Sequence, residues 1–309
     1  MSQRLGSVMF FFPCQSHHIQ ESFMFIRELS TKMTFWAGVL LMFGAYMVTA
    51  QEFPLDMANK AVDDMYDGCA DQMLELVKNG LLNKEKKENK NFRDAWNDAE
   101  ENCKWKRSKK ISLEREEAVA VYAYINARIN IYDELNRAVR EQGREYQAFK
   151  YHSLHYFLTR AIQKLAPKKH HTLMFWRRGK KKCLTAYRRT SVSFRQDVLY
   201  TNIRFGQFTS SSRYHLKHTK SKTTLRRAFG EKSCFKIKTC FGADISMFSE
   251  FKEEAEILIP PYEVFRVTKI ETRAEDKKLP CEVVYTVKST KIPVSNYNCA
   301  LFKSSLSHG

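Results

Sequence analysis

The sequence contains no Cys-x-x-Cys pair and no Asn-x-Ser/Thr tripeptide. Structural zinc sites need closely spaced cysteine or histidine ligands, and the adjacent His170 and His171 lack the spacing of ligands on a helix. The last residues, 303–309, are mostly polar, whereas a lipid-anchor signal requires a hydrophobic tail. We therefore expect no metal site, no N-glycosylation and no lipid anchor.

Acidic residues are too few to balance the basic ones. The chain has 52 Lys and Arg against 34 Asp and Glu, a net charge of +18. Such a surface attracts polyanions, including nucleic acids, glycosaminoglycans and anionic substrates. No nucleic-acid-binding motif is present, so we expect no specific nucleic-acid partner. A hydrophobic fraction of 43% is ordinary for a folded protein and excludes disorder along the whole chain.

An apolar run near the N-terminus covers residues 34–47. It is short for a membrane span, and Val48 and Ala50 after it suit cleavage by a signal peptidase. Residues 1–32 precede Met33 as an extension. The pattern predicts an N-terminal extension and signal peptide over residues 1–50 and a secreted mature chain. An uncleaved membrane anchor is the alternative.

Seven cysteines follow this segment, and most should form disulfides in an oxidising compartment. They are Cys69, Cys103, Cys183, Cys234, Cys240, Cys281 and Cys299. Because seven is odd, at least one of them stays outside the intramolecular pairs.

Hydrophobic periodicity predicts one domain over residues 51–309, mainly helical over 51–167 and mainly β over 168–302. The predicted helices cover residues 56–77, with Asp56 as N-cap, 114–131, 132–142 and 151–165. Residues 80–91 read as a loop, and residues 168–182 as a basic linker. The predicted strands cover residues 183–187, 203–209, 234–241, 256–259, 264–270 and 282–287. The class is α+β, with helices packed on a mainly antiparallel sheet.

Two carboxylates, Glu254 and Glu256, lie at the entry to the predicted strand over residues 256–259. Residues two apart in an extended segment point to one face, so both side chains can serve one cleft. One carboxylate can stabilise positive charge while the other accepts a proton. Alone, the pattern is more typical of a solvated acidic loop.

Two upstream segments add groups that suit a phosphorylated substrate. The guanidinium of Arg188 can hold a phosphate through its planar fork. The hydroxyl of Ser210, which follows Gln207 by three residues, can orient a carboxylate or a ribose.

Together, Arg188, the residues 208–212 (Phe-Thr-Ser-Ser-Ser) and Glu254-x-Glu256 resemble, in this order, the R-S-E pattern of arginine-specific mono-ADP-ribosyltransferases. The resemblance extends to residues 57–69, 118–123, 135–140, 151–159, 240–243 and 297–299, and so covers about residues 55–302. It implies the fold of that family and transfer of ADP-ribose from the co-substrate NAD to arginines of acceptor proteins, without a metal.

The resemblance also implies residue roles. Arg188 binds NAD, and Tyr187 and Gln207 contribute to the same co-substrate site. Ser210 holds the catalytic glutamate and the nicotinamide end, and Glu256 is that glutamate. Glu254 selects arginine as the acceptor.

Two disulfides, Cys69–Cys299 and Cys183–Cys240, follow from the same resemblance, which leaves the other three cysteines unassigned. The chain departs from the family at Arg189, where glycine is common, and at Ser211, where threonine is common. Glycine permits close backbone approach to a ligand, so Arg189 predicts an altered NAD pose or affinity.

Two alternatives remain open at this point. The first is an NAD glycohydrolase on the same fold. The second is a catalytically silent secreted protein that binds anionic surface ligands through its basic surface.

Overall fold

The N-terminal half of the chain is helical. The computed structural model describes residues 52–103, 113–126, 128–167, 182–214, 216, 230–249 and 255–303. Its helices are α1 (Ala70–Leu76), α2 (Leu82–Glu88), α3 (Lys90–Asn102), α4 (Arg115–Ile125), α5 (Ile131–Glu141), α6 (His152–Leu165) and α7 (Ala300–Lys303). A π-turn over Val77–Leu81 joins α1 to α2, and a 3-10 segment over Gln142–Ala148 follows α5. Within the described residues, no helix has the length and apolar character needed to cross a membrane.

The second half forms an eight-stranded sheet in the order β4-β9-β10-β6-β2-β5-β8-β7. Its strands are β2 (Leu184–Thr190), β4 (Asn202–Ile203), β5 (Thr209–Ser212), β6 (Ser233–Thr239), β7 (Ala243–Asp244), β8 (Glu256–Ile259), β9 (Phe265–Thr272) and β10 (Val283–Ser289). The short β1 (Glu52–Phe53) pairs with β3 (Ser193–Phe194). In the large sheet β10 and β6 are parallel and the other neighbours antiparallel. The predicted α+β class with a mainly antiparallel sheet is confirmed.

Strands β2 and β5 are paired over a shorter length than the other neighbours in this sheet. The two strands share one registered pair, Tyr187 with Ser212, whereas β2 and β6 are paired from Leu184 to Thr190. The sheet therefore opens at this junction into a five-stranded part that ends with β2 and a three-stranded part that begins with β5.

Strand β8 is buried on both faces. Leu258 belongs to the core shared with the helices, whereas Ile257 and Ile259 belong to the core on the opposite side. A strand covered on both faces is a continuous apolar run rather than an alternating one. This explains why its bounds, Glu256–Ile259, agree with the sequence prediction.

The predicted helix over residues 56–77, capped by Asp56, is wrong over its first two thirds, because helix α1 begins at Ala70. The acidic residues ahead of it bond to distant groups instead. Asp63 accepts hydrogen bonds from the Arg204 guanidinium and the backbone N–H of Tyr297. These buried long-range bonds outweigh the local helical preference of the segment.

Helix α2 lies where the sequence predicted a loop over residues 80–91. Its Glu85 is buried, and the carboxylate accepts hydrogen bonds from the backbone N–H groups of His152 (2.7 Å) and Ser153 (3.0 Å). Glu85 thus caps the start of α6, where a helix exposes unsatisfied donors. Burial raises the pKa of Glu85 to about 7. The predicted helix over residues 114–131 also differs, because α4 ends at Ile125.

A buried ion pair joins three parts of the chain. The guanidinium of Arg204 bonds to the carboxylate of Asp63, and both side chains are fully buried. Arg204 also donates to the carbonyl oxygens of Met57 (2.6 Å) and Val294 (2.8 Å). The pair therefore connects the segment ahead of α1 and the segment after β10 to the residues between β4 and β5.

The structure contains both disulfides that the resemblance implies, Cys69–Cys299 and Cys183–Cys240. A third, Cys234–Cys281, joins β6 to the residues ahead of β10. Three disulfides are typical of proteins from oxidising compartments.

We expect the buried His152 to make the fold sensitive to acid. Its ring lies between those of Tyr146 and Phe149, at centroid distances of 5.0 and 5.1 Å. Burial lowers the pKa of His152 from 6.5 to about 4. The pKa of His152 in the folded state lies below its pKa of 6.5 in the unfolded chain. The neutral ring therefore contributes its full stabilisation above pH 6.5, and this stabilisation is lost as the pH falls from 6.5 to about 4.

We expect His152→Phe to remove this acid sensitivity. Between pH 7 and pH 4 the wild type should lose about 3 kcal/mol of unfolding free energy relative to the variant, since one pKa unit corresponds to about 1.4 kcal/mol. Urea unfolding of both proteins across this pH range measures the difference in unfolding free energy. Glu85 and His155 are present in both proteins, so their titration cancels in this difference. Parallel pH profiles of the two proteins would contradict this assignment.

Candidate active site

Three side chains named from the sequence meet at the opening between β2 and β5. Strand β2 supplies Arg188, β5 supplies Ser210, and β8 supplies Glu256. In the β5–β8 pairing, Ser210 is opposite Leu258 and Ser212 is opposite Glu256. Ser210 and Glu256 are therefore diagonal neighbours on one face of the sheet.

Ser210 holds the glutamate in place. Its hydroxyl donates a hydrogen bond to Oε1 of Glu256, and the Glu256 side chain is 9% exposed. A carboxylate that is fixed and shielded from water interacts strongly with a charge that develops beside it.

Arg188 closes the other side of the site. Its guanidinium donates to the backbone carbonyl oxygen of Ser210 at 2.5 Å. Burial lowers the pKa of Arg188, while the charge of Glu256 acts in the opposite direction. An arginine side chain nevertheless stays protonated in proteins. The site therefore contains one fixed positive and one fixed negative group.

Helices α4 and α5 line the site with residues that the sequence did not single out individually. The Tyr124 hydroxyl donates to the carbonyl oxygen of Phe208 (3.0 Å) and accepts from Asn136 (2.9 Å). Burial, and then the positive charge of Arg188, lowers the pKa of Arg140, so the two guanidiniums are near enough to interact electrostatically. Two neighbouring guanidiniums suit a ligand with several negative charges, such as a pyrophosphate.

The turn before Ser210 depends on Gly206. Gly206 has φ of +64°, and a Cβ there would lie 2.4 Å from the Cβ of Ala58. The turn divides the predicted strand over residues 203–209, and β5 begins at Thr209. Beyond the turn, Phe208 is buried against Tyr124 and His155. The amide oxygen of Gln207 is buried without a hydrogen-bond partner among the described residues.

The sequence model of the NAD:arginine ADP-ribosyltransferases matches residues 55–283. The chain belongs to this family. It is 34% identical over 263 residues to Ecto-ADP-ribosyltransferase 5 of Rattus norvegicus, covering 80% of this chain and 76% of that protein. It is 35% identical over 259 residues to T-cell ecto-ADP-ribosyltransferase 1 of Mus musculus, covering 81% and 78%. A solved mutant of the eukaryotic mono-ADP-ribosyltransferase ART2.2 in complex with NAD is 32% identical, with a TM-score of 0.59 over 80% of this chain and 98% of that chain.

The family that the ordered Arg, Ser and Glu motifs predicted is thus confirmed, and with it the enzyme class.

Arg189, the departure from the family pattern, points away from Arg188. Its guanidinium donates to the carbonyl oxygens of Leu216 (2.8 Å) and Pro280 (3.2 Å). Successive residues of a strand face opposite sides, so Arg189 does not bring a second guanidinium to Arg188. Tyr187 shares the face of Arg189 and packs against the cluster around Cys234–Cys281. The NAD contact expected for Tyr187 stays a prediction.

Glu254 lies outside the described residues, and backbone hydrogen bonds hold the residues that follow it. The N–H of Ile245 donates to the carbonyl oxygen of Glu256, and the N–H of Arg213 donates to that of Ala255, both at 3.0 Å. Arg213 also forms an ion pair with Asp244 at 2.5 Å. These contacts hold Ile245 next to Glu256 and Arg213 next to Ala255.

One group of potential metal ligands occurs in the described part of the chain: Asp64, Cys69 and Cys299. The two sulfur atoms are joined in a disulfide, so they cannot act as thiolate ligands. This group is a structural tie rather than a metal site.

Proposed function

We propose that this chain transfers ADP-ribose from NAD to arginine side chains of acceptor proteins and releases nicotinamide. The observation that carries the proposal is the convergence of Arg188, Ser210 and Glu256 at the opening of the sheet, with the glutamate buried and held by the serine. Each of these three groups has a role in the cleavage of NAD.

Glu256 is the group that promotes bond cleavage. The bond between the nicotinamide nitrogen and the ribose breaks with its electron pair going to nicotinamide, and positive charge develops on the ribose. A fixed carboxylate in a water-poor site stabilises that charge where it forms. The Ser210 hydrogen bond keeps the carboxylate in one orientation.

Arg188 and Arg140 hold the anionic end of NAD. A guanidinium binds phosphate oxygens through two parallel N–H donors. The buried amide oxygen of Gln207 supplies an acceptor for a donor group of the co-substrate. The roles of Arg188 and Gln207 agree with those implied by the sequence resemblance, and Arg140 adds a second cation.

Glu254 acts on the acceptor. The guanidinium of an acceptor arginine is protonated at neutral pH and is a poor nucleophile. A carboxylate beside it can orient the group and accept the proton lost as the new bond to ribose forms. Glu254 is two residues from Glu256, and the sheet anchors Ala255 between them through Arg213.

We expect Glu254→Gln to separate the two half-reactions. Nicotinamide release from NAD should persist, whereas formation of ADP-ribosyl-agmatine should fall by about 100-fold or more, the usual range for loss of a general base. Chromatography quantifies nicotinamide, ADP-ribose and the agmatine adduct in one assay. Glu253→Gln, one position away in the same acidic run, is the matched control and should keep transfer. Intact transfer by Glu254→Gln would contradict this division.

The same assay on the wild-type protein tests the proposed function. Nicotinamide release accompanied by an agmatine adduct supports a transferase. Nicotinamide release with free ADP-ribose and no adduct would identify a glycohydrolase instead.

The protein acts outside the cell in this proposal. The two curated relatives carry the prefix "ecto" in their names, and three disulfides suit an oxidising compartment. We propose that the signal over residues 33–50 is cleaved and that the product is secreted.

We expect the secreted protein to begin at Gln51, since Val48 and Ala50 occupy the positions preferred by signal peptidase. Mass spectrometry of the N-terminal peptide from the culture medium of expressing cells measures this directly. Recovery of the full-length chain in the membrane fraction would contradict it.

A further inference from the structure

The outer face of the central strands carries basic residues in register. Lys238 of β6 is paired with Lys288 of β10, and Lys288 is paired with Arg266 of β9. Paired residues on neighbouring strands project from the same face of the sheet. All three side chains are exposed, so they form a continuous row across three strands.

Two more cations border this row. Lys236 lies two residues from Lys238 on β6 and pairs with Thr286, which in turn pairs with Lys269 of β9. We call these residues the basic sheet face: Lys236, Lys238, Arg266, Lys269 and Lys288. Lys269 bonds to Glu271. The other four form no ion pair with a described residue.

This arrangement has an energetic cost within the protein. Neighbouring strands are about 4.8 Å apart, and like charges directly opposite each other destabilise a sheet. Lys238, Lys288 and Arg266 form no ion pair with a carboxylate of the described residues. A row of this kind is favourable when a ligand with regularly spaced negative charges lies along it.

The composition of the row favours a sulfated polysaccharide. Its two ends are Thr185, paired with Lys238, and Asn202, paired with Arg266. These side chains can hydrogen-bond to sugar hydroxyls, and no residue of the row is aromatic. Tyr187, which pairs with Lys236 on the same face, packs against the cluster around Cys234–Cys281, so its ring is not a free platform for a stacked base. Three disulfides suit an oxidising compartment, and in the extracellular location proposed above sulfated polysaccharides are available as polyanionic ligands.

We propose that the basic sheet face binds a sulfated polysaccharide chain through the row Lys238–Lys288–Arg266. Arg188 projects from the opposite face of β2, since Tyr187 pairs with Lys236 and shares its face. The bound polysaccharide therefore leaves the NAD site open, and the surface tethers the enzyme where its acceptor proteins are found.

Binding to immobilised heparin, measured by surface plasmon resonance at several NaCl concentrations, tests the proposal. The test variant combines Lys238→Gln, Arg266→Gln and Lys288→Gln. The matched control combines Lys84→Gln, Lys277→Gln and Lys278→Gln, which are also exposed and remove the same charge. We expect the test variant to bind at least about 10-fold more weakly and its salt slope to fall by about 3, near one unit per lost contact.

The control variant should stay within about 3-fold of the wild type, the scale of screened surface charges at physiological ionic strength. Equal losses in the two variants would show attraction by net charge alone and overturn the proposal. Heparin binding unchanged in the test variant would also overturn it. A single-stranded RNA should compete with immobilised heparin less well than soluble heparin does. If the RNA displaces the protein at a lower concentration of negative charges than soluble heparin requires, the assignment to a polysaccharide is overturned.

Two readouts separate this proposal from the proposed enzyme activity. Transfer to agmatine should be equal in the wild type and the test variant, because no substituted residue lies at the NAD site. The thermal midpoint should not fall, because removal of paired like charges relieves repulsion. If the triple variant unfolds, the single Lys288→Gln change at the centre of the row should still weaken heparin binding more than Lys277→Gln, and equal binding would overturn the proposal.

Discussion

Replacement of Glu256 by Gln is expected to lower kcat for nicotinamide release by about 100-fold or more, the size of effect seen when one fixed group that stabilises a transition state is removed. The amide keeps the shape of the carboxylate and can still accept the Ser210 hydrogen bond, but it lacks the negative charge that faces the developing positive charge. Initial rates of nicotinamide release at saturating NAD measure the change.

Glu263→Gln provides the matched control for this substitution. Glu263 is also fully buried, and it accepts hydrogen bonds from the backbone N–H groups of Cys240 (2.7 Å) and Phe241 (3.2 Å) away from the site. Its loss should lower stability without a comparable loss in kcat. Similar rates for wild type and Glu256→Gln would contradict the role of Glu256.

Replacement of Arg204 by Met should have the largest effect on stability, a loss of about 3–5 kcal/mol in unfolding free energy. Methionine has a similar length but leaves the Asp63 carboxylate buried without its cation, and three carbonyl oxygens lose a donor. Urea unfolding followed by circular dichroism measures the change.

Arg195→Met is the surface counterpart of this change. Arg195 and Asp197 also form an ion pair, but their side chains are 58% and 60% exposed. Exposed pairs contribute about 0–1 kcal/mol, so this variant should unfold almost as the wild type does. Equal losses in Arg204→Met and Arg195→Met would contradict the importance of burial. Adding Asp63→Leu to Arg204→Met should restore part of the stability, because it removes the unpaired charge.

The sequence was most informative where residues near in the chain determine the outcome. Strand β8 was predicted with its observed bounds, because an apolar run ends at Pro260-Pro261. The α+β class followed from the change in periodicity between the two halves. The convergence of Arg188, Ser210 and Glu256 came from their order in the chain and the family resemblance, since no local pattern links three strands.

The sequence failed where distant groups decide the local structure. Residues 56–69 have helical spacing, but Asp63 and Asp64 accept hydrogen bonds from Arg204, Tyr146 and other distant partners, and the segment is not helical. The highly charged α2 resembles a loop, yet its buried Glu85 is required at the start of α6.

The residues that surround the site could not be predicted from the sequence either. Arg140 and Tyr124 reach the site from helices more than forty residues upstream of Arg188 in the chain. Arg140 ends the segment 135–140 that carries part of the resemblance, but the resemblance assigned no role to Arg140 or to Tyr124. The pairing of Cys234 with Cys281 could not be deduced, because spacing alone allows several connectivities. The direction of Arg189 depended on the register of β2 with β6.

The central claim is that the chain joins ADP-ribose to a guanidine group. Incubation of the purified wild-type protein with isotope-labelled NAD and agmatine, followed by mass spectrometry, tests it most directly. The proposed function predicts agmatine bearing one labelled ADP-ribose, formed in step with nicotinamide release and absent with Glu256→Gln. The absence of any adduct from the folded wild-type protein would contradict it.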